Sequence, residues 1–366
     1  MWWPSEHGVE NGYADVASQL SQTGTEVWIA DPFVTWFLPT LRASLAEIPR
    51  QTCGAFLLAA SKHSGKRLFV MGSGRGAAVL LECLRYALAQ GLEDVGGVLL
   101  ISPNLFARAS QPGQRRQLTA IAASTNFPVF VVFAEKSIEQ LYRDDIVGAL
   151  SQGGSRVYHT LVQGVRNRFY YRPDAVEVET RAAQQLSRIV QRSIELLSHD
   201  KGPRGFTQVR DQQREAGVAS RKLVRYEGPQ HGRLRLPGLD GRIHDVADYL
   251  GDVLLVSFWA SWCPPCVHEL PSMVRLQEAM AERQFRVLAV NLDEETGTIN
   301  DFLRTRPVNF PVLLDVDLHY ARRWQVSAFP SSFLLDGSGK IRYAVAGAIE
   351  WDSAHIIDTI TGLLSE

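Results

Sequence analysis

Two cysteines separated by two prolines are the residues of this chain best placed to do chemistry. Cys263 and Cys266 follow residues 253–258, an apolar run that predicts a buried strand. A C-x-x-C pair at the point where a strand leads into a helix is typical of a redox-active dithiol. Cys263 is predicted at the N-cap of that helix, with Cys266 one turn later. The unpaired N–H groups and the helix dipole at this position favour a thiolate on Cys263.

The two prolines of this motif refine the expected chemistry. Pro264 and Pro265 occupy the first two helical positions, where a missing N–H costs little. They also leave fewer donors for a thiolate, which favours a reducing pair over a strongly oxidising one. The alternatives are two buried thiols or a structural zinc site with His268 as a third ligand. Because the other two cysteines lie far upstream at unsuitable spacing, we predict no metal.

Length and composition predict two ordinary globular domains. The chain has 366 residues, 45% hydrophobic and 21% charged, which is enough for two cores. A net charge of −1 gives no reason to expect a nucleic-acid partner. No apolar run reaches the length of a membrane span. Residues 1–7 lack a basic n-region and an apolar h-region, so no signal peptide is visible.

The chain divides near residue 200. Apolar residues recur at helical spacing over 175–199, and the following segment is rich in charge, Gly and Pro without apolar periodicity. We therefore predict a first domain over 1–200, a charged linker over 201–223 and a second domain over 224–366. The second half alternates strands (253–258, 285–291, 332–336, 340–345) with helices (264–280, 298–304, 318–325, 351–364).

The second half resembles the TlpA/ResA-like branch of the thioredoxin superfamily. The matching segments are LPGLDG (236–241), FWASWCPPC (258–266), ELP (269–271), VNLDE (290–294), NFP (309–311) and AFPSSFLLD (328–336). The resemblance implies a thioredoxin fold, a thiol-disulfide oxidoreductase without a cofactor, and protein disulfides as substrates. It also implies a membrane or soluble thiol reductase as electron donor. The family's usual setting, often cytochrome c maturation, implies a periplasmic or membrane-tethered location.

The resemblance also assigns roles to individual residues. It makes Cys263 the exposed attacking thiol and Cys266 the resolving thiol, with Trp262 and Phe329 contacting the client. Pro330 matches the cis-proline that faces the dithiol. Glu294 matches a buried glutamate that could accept the proton of Cys266; the alternative is a solvated acid. Ser257 stands where many thioredoxins carry a buried Asp, which makes Glu294 the leading proton acceptor.

Peroxiredoxins share this fold but require a different motif. Their P-x-x-x-T-x-x-C pattern would need Pro at position 256 and Thr at position 260. The chain has Val256 and Ala260. We therefore reject a peroxidase interpretation.

The first half resembles an α/β-hydrolase that has lost its chemistry. Strands are predicted at 25–31, 67–71, 95–102 and 128–134, and helices at 13–21, 41–62 and 76–89, which gives a three-layer domain with a parallel sheet, incomplete at its start. Residues 72–76 (GSGRG) resemble a G-x-S-x-G nucleophile elbow. Gly74 occupies the nucleophile position, and Ser73 is one residue early.

The sequence offers an acid for a catalytic triad but no histidine in a suitable loop. Glu135 or Asp144 could serve as the acid, but His159 lies within a predicted strand. A dinucleotide site at residues 72–77 is a weaker alternative, because no acid follows at the expected strand end. Cys53 and Cys83 are interpreted as buried apolar residues rather than a disulfide.

Three functions follow from this reading. The first is a protein-disulfide reductase that uses Cys263 and Cys266, with a non-catalytic first domain. The second is a binding protein whose first half delivers clients to the dithiol. The third is a residual esterase in the first half.

Overall fold

The computed structural model describes residues 1–41, 43–107, 113, 114, 116–208, 222–231 and 233–365. The chain forms two compact units. The first comprises Met1–Ala107 and Leu118–Arg214, and the second comprises Arg108–Gln117 and Glu215–Glu366. Most of the predicted linker, residues 209–221, lies outside the described residues.

The first unit is an α/β structure built on parallel strands. Its strands are β1 (Trp2–Trp3), β2 (Leu68–Ser73), β3 (Val95–Ile101), β4 (Thr125–Asn126), β5 (Pro128–Lys136), β6 (Arg156–Arg166) and β7 (Gly205–Phe206). Its α-helices are α1 (Asn11–Ser21), α2 (Pro32–Thr35), α3 (Arg50–Ser64), α4 (Gly76–Ala89), α5 (Ala120–Ser124), α6 (Ile138–Leu141), α7 (Arg143–Gln152) and α8 (Glu177–His199), with a 3-10 turn at Ala43–Ala46.

The main sheet of this unit has the order β1-β2-β3-β5-β6, and every neighbouring pair is parallel. Met71 and Leu99 on one face belong to a buried cluster with residues of α1 and α8. Val70 and Val98, which point to the opposite face, are also fully buried. Burial on both faces is what the continuous apolar strands of the sequence predict. The parallel α/β architecture of the first half is therefore confirmed.

The strand predicted at residues 25–31 is wrong. The segment makes only an isolated parallel bridge, between Ile29 and Trp2. Trp2 and Trp3, both fully buried, instead form the strand beside β2. The apolar residues of 25–31 are partly buried beside β1. Apolar periodicity alone cannot tell whether residues 25–31 or residues 2–3 form the strand next to β2.

The long helix predicted at residues 41–62 begins later, at Arg50. Pro49 is the N-cap residue, with extended backbone angles. A proline disfavours helical geometry in the residue before it, so the helix cannot run through from residue 41.

Cys53 and Cys83 form a disulfide, which corrects the interpretation of two separate buried thiols. Their Cα atoms are 5.4 Å apart, and both residues are fully buried between α3 and α4. Gly54 allows this approach: a Cβ atom there would lie 2.8 Å from the backbone nitrogen of Ala87. The pairing depends on helix packing, which the spacing of the cysteines in the sequence does not reveal.

The second unit has a thioredoxin fold, as the resemblance implies. Its strands are β8 (Val224–Arg225), β9 (Arg235–Pro237), β10 (Ile243–Asp245), β11 (Val253–Trp259), β12 (Phe285–Leu292), β13 (Val312–Asp315), β14 (Ser331–Leu335) and β15 (Ile341–Ala346). Its α-helices are α9 (Pro264–Ala279), α10 (Thr296–Thr305), α11 (His319–Arg323) and α12 (Ala354–Leu364), with a 3-10 turn at Val246–Tyr249.

The six-stranded sheet of the second unit has the order β13-β12-β11-β14-β15-β8. The central strand β11 is parallel to β12 and antiparallel to β14, and all seven of its residues are buried. This strand delivers the cysteine motif to the start of α9. Within the described residues, no helix has both the length and the apolar character needed to cross a membrane.

Candidate active site

The dithiol lies at the junction between β11 and α9. Cys263 is the N-cap residue of α9, and its Sγ accepts a hydrogen bond from the backbone N–H of Cys266 at 3.3 Å. Since Pro264 and Pro265 have no N–H, this amide is the first donor that the helix offers. The two cysteines form a disulfide with their Cα atoms 5.3 Å apart. The predicted N-cap geometry is therefore present.

Both sulfur-bearing residues are shielded. Cys263 is 4% exposed and Cys266 is 1% exposed, so the expectation of an exposed Cys263 is wrong for this disulfide form. Trp262 and Phe329 pack against the same buried cluster, and their rings meet edge to face with centroids 5.5 Å apart. Both rings are thus part of the packing around the cluster that contains the two cysteines.

The loop that ends at Pro330 contributes the residues predicted to contact a client. The peptide bond between Phe329 and Pro330 is cis, as the match to the superfamily implies. The carbonyl of Pro330 accepts a hydrogen bond from the N–H of Gly347 at 2.8 Å, which ties the loop to the end of β15. Trp262 and Phe329 thus pack against the buried cluster that contains the cysteines, and Pro330 follows Phe329 directly in the chain.

Glu294 is buried, and three hydrogen-bond donors face its carboxylate. Its carboxylate accepts hydrogen bonds from the backbone N–H of Ser261 at 2.7 Å, from the Ser261 hydroxyl, and from the side-chain amide of Asn291 at 2.7 Å. The alternative of a solvated acid is wrong, because Glu294 is only 8% exposed.

Ser257 lies at the position where many thioredoxins carry a buried aspartate, and it is hydrogen-bonded to a second serine, Ser332. The Ser332 hydroxyl donates to Ser257 Oγ at 2.9 Å, and both residues are buried in the middle of the sheet. A pair of serine hydroxyl groups therefore lies here instead of a carboxyl group.

Glu269 is the functional candidate that the sequence analysis missed. It is 1% exposed, and its carboxyl group accepts hydrogen bonds from the indole N–H of Trp351 and from the N–H of Ile349 at 3.4 Å. Burial in apolar surroundings raises the pKa of Glu269 to about 8. It follows Cys266 by three residues in α9, so both lie on one side of the helix. The spacing of three residues between Cys266 and Glu269 is the sequence signal that could have identified this candidate.

Comparisons with known proteins identify the second unit. A model of the AhpC/TSA family matches residues 229–344. The thiol-disulfide oxidoreductase ResA of Bacillus subtilis (strain 168) is 30% identical over 129 residues, which cover 35% of this chain and 72% of that protein. This chain belongs to the ResA family of thiol-disulfide oxidoreductases.

Two further comparisons cover the same region of the chain. ResA of Geobacillus thermodenitrificans (strain NG80-2) is 31% identical over 114 residues, or 31% of this chain and 66% of that protein. A solved structure from Chlorobium tepidum, described as a thiol:disulfide interchange protein DsbE, is 34% identical. It covers 37% of this chain and 95% of that chain, with a TM-score of 0.35.

The ResA-like unit does not carry the peroxidatic motif of peroxiredoxins. Val256 and Ala260 are fully buried apolar residues at the positions where that motif needs Pro and Thr.

The expected absence of a metal site remains a prediction. His268, the suggested third zinc ligand, has 81% of its side chain exposed and lies 3.9 Å from Glu350. Within the described part of the chain, no group of three His, Cys, Asp or Glu residues could hold a metal ion.

The elbow-like turn of the first unit holds no activated nucleophile. Gly74 has a positive φ of 50°, and Ser73 is 2% exposed. The Ser73 hydroxyl accepts hydrogen bonds from the Trp2 indole at 3.0 Å and from the Tyr170 hydroxyl at 2.9 Å. Its partners are thus groups of the buried aromatic cluster rather than a histidine.

The other residues considered for a triad are dispersed. His159 is exposed on β6, and the Asp144 side chain is 87% exposed. Glu135 accepts a hydrogen bond from the N–H of Gly164 at 2.6 Å. These contacts give no support to the esterase hypothesis.

Proposed function

We propose that the ResA-like unit reduces protein disulfides with Cys263 as the attacking thiol and Cys266 as the resolving thiol. The observation that carries this proposal is the N-cap position of Cys263, where the Cys266 N–H and the helix dipole stabilise a thiolate.

The reaction proceeds in two exchanges. The Cys263 thiolate attacks one sulfur of the client disulfide, forms a mixed disulfide and releases the first client thiolate. Cys266, after losing its proton, attacks Cys263 Sγ and releases the second client thiolate. The client gains two electrons, and the dithiol becomes a disulfide. An external dithiol must then return two electrons, which is the part assigned to a membrane or soluble thiol reductase.

Glu269 is the proposed proton acceptor for Cys266. A base works best when its pKa lies near the working pH, and burial raises the pKa of Glu269 to about 8. Its location one turn after Cys266 on α9 gives it the required side of the helix. This assignment replaces Glu294 in the catalytic set.

We place the client at the loop containing the cis-proline. The backbone of Phe329 and Pro330 lies in the loop just before β14, and the rings of Phe329 and Trp262 contact each other and pack against the cluster that contains the dithiol. An extended client segment can pair with such a backbone by strand-like hydrogen bonds. These contacts would make the unit tolerant of the client's side chains.

The proposed location is periplasmic or membrane-tethered, facing an oxidising compartment. The Cys53–Cys83 disulfide supports this, because buried structural disulfides persist mainly in oxidising compartments. A reducing dithiol in such a compartment suits a role in cytochrome c maturation or thiol homeostasis. We further propose that residues 1–200 form a non-catalytic domain that binds or delivers clients.

Trapping tests the proposed order of attack. In the full chain, Cys266→Ser should leave clients attached to Cys263 as mixed disulfides that a thiol reagent releases. Cys263→Ser should abolish both trapping and reduction of insulin disulfides. Unchanged insulin reduction by Cys263→Ser would contradict the proposal.

A further inference from the structure

Ser261 and Glu294 form a connection between the active-site loop and the neighbouring strand. Ser261 lies between the end of β11 and Cys263. Both its backbone N–H and its hydroxyl donate to the Glu294 carboxylate. Two donors from one residue to one carboxylate fix the direction of the peptide as well as its position.

The carboxylate is itself anchored to β12. Asn291 donates its side-chain amide to Glu294 Oε2 at 2.7 Å, and Asn291 is paired with Trp259 across the β11–β12 register. Asn291 and Glu294 are both buried, at 1% and 8% exposure. The loop is therefore attached to the rigid centre of the sheet through a side-chain bridge.

The loop held in this way carries the reactive groups. Ser261 immediately precedes Trp262, whose ring contacts Phe329. The N–H of Cys263 donates to the carbonyl of Ala260 at 3.2 Å, which makes a tight turn around Ser261. A change in the orientation of Ser261 would move both Trp262 and Cys263.

We propose that Glu294 is a positioning residue that fixes Trp262 and Cys263 for the first attack on a client, through its hydrogen bonds to Ser261. This proposal rests on the proposed function of the dithiol for its consequence in client reduction. It gives Glu294 a role through its hydrogen bonds to Ser261 and Asn291 rather than through proton transfer. The proton of Cys266 goes to a different group.

The test is a double-mutant cycle in the full chain with Ser261→Ala and Glu294→Gln. Each single variant should lower the rate of Cys263 alkylation by iodoacetamide in the reduced protein, and the rate of first attack on insulin, by about tenfold, since each loses a charge-assisted hydrogen bond. The double variant should be no slower than the slower single variant, because both remove the same connection.

Two matched variants separate positioning from general damage. Ser261→Thr keeps the hydroxyl and should retain nearly the full alkylation rate. Glu295→Gln changes the exposed neighbouring acid and should have no effect. All variants are compared at a temperature at which their far-ultraviolet circular dichroism matches that of the unchanged protein. The pH profile of the resolving step should stay unchanged in Glu294→Gln.

Three results would overturn the proposal. A shifted pH profile of resolution in Glu294→Gln, with a normal rate in Ser261→Ala, would make Glu294 a proton acceptor. Additive losses in the double variant would show that the two residues act separately. Unchanged alkylation in both single variants would show that the bridge has no effect on Cys263. Alkylation needs no client, so it remains informative if insulin reduction itself fails and the proposed function is wrong.

Discussion

Two buried carboxyl groups near the dithiol differ in what surrounds them. Glu294 is surrounded by three hydrogen-bond donors, whereas Glu269 lies among apolar side chains with two donors, from Trp351 and Ile349. A carboxyl group short of donors in a low-dielectric environment resists ionisation. For Glu269 this environment raises the pKa to about 8, which is the property that the proposed proton transfer needs.

The buried carboxyl group of Glu269 should make stability pH-dependent. Burial, with a smaller contribution from Glu350, raises its pKa from 4.5 to about 8. Between these values the folded protein holds a proton that the unfolded chain has lost. The free energy of unfolding should therefore fall as pH rises, by about 1.4 kcal/mol per pH unit at most, and level off above pH 8.

Glu269→Gln should remove this slope because glutamine does not titrate. The measurement is the urea midpoint of the oxidised full chain at pH 5.5 and pH 7.5, for the unchanged protein and the variant. The unchanged protein should lose more stability between the two values, by roughly 2–3 kcal/mol. Glu350→Gln is the control, because the Glu350 side chain is exposed, and it should alter the slope only slightly. Parallel pH dependences in all three proteins would contradict a raised pKa for the buried Glu269.

The same substitution should slow the resolving step. Without the carboxylate of Glu269, the proposed proton acceptor, Cys266 must lose its proton to water, and general bases typically contribute about 10²–10⁴-fold to such steps. We expect Glu269→Gln to accumulate the mixed disulfide at Cys263, with first attack little changed. Stopped-flow measurement of client release across pH 6–9 checks this, with an apparent pKa near 8 present only in the unchanged protein. Equal slowing of both steps would argue against a role in proton transfer.

At the level of elements, the sequence predicts what depends on local pattern. The strand before the cysteines, the N-cap at Cys263 and the helix α8 are confirmed because apolar periodicity and capping chemistry are local. The strand prediction for residues 25–31 was wrong because Trp2 and Trp3 form the strand beside β2. The sequence analysis did not select Glu269 as a candidate, because the burial of its side chain depends on distant residues such as Trp351.

The α3–α4 pair shows a third limit of sequence reasoning, and it gives a prediction. Cys53 and Cys83 are 30 residues apart, and loop-closure entropy for such a separation corresponds to about 3–4 kcal/mol. The double variant Cys53→Ala with Cys83→Ala should lose stability of about this size, measured by thermal unfolding of the full chain. Insulin reduction at 25 °C should stay unchanged, because the pair takes no part in the proposed exchange.

Gly54 provides an independent test of the same packing. A Cβ atom at this position would lie 2.8 Å from the Ala87 nitrogen and 2.9 Å from the Cys83 carbonyl oxygen. Backbone atoms cannot move aside as a flexible side chain can, so Gly54→Ala should destabilise the protein by roughly 1–3 kcal/mol. Gly148→Ala on α7, where a Cβ atom meets nothing within 4 Å, is the matched control and should be neutral or slightly stabilising. Equal melting temperatures would mean that α3 and α4 are further apart than described.

At the scale of the whole molecule, the two units differ in how they use their strand ends. The ResA-like unit places a dithiol where β11 meets α9. The first unit has a comparable junction where β2 meets α4, but the turn there contains Gly74 with a positive φ, and its serine is buried. Ser73 accepts hydrogen bonds from Trp2 and Tyr170, so the junction is occupied by a structural polar cluster. Of these two junctions, only the one between β11 and α9 is therefore expected to carry chemistry.

Ser73→Ala tests this division. Loss of the hydroxyl leaves the buried Trp2 indole and the Tyr170 hydroxyl each without one acceptor, which should cost about 1–3 kcal/mol of stability. Ester hydrolysis should not change, because Ser73 has no histidine partner among the residues described for the first unit. The measurement combines thermal unfolding with hydrolysis of p-nitrophenyl acetate by the oxidised full chain, in which the cysteines cannot attack the ester. A hydrolysis rate in the unchanged protein that Ser73→Ala abolishes, without unfolding, would make the first unit an esterase and would replace its proposed role as a binding domain.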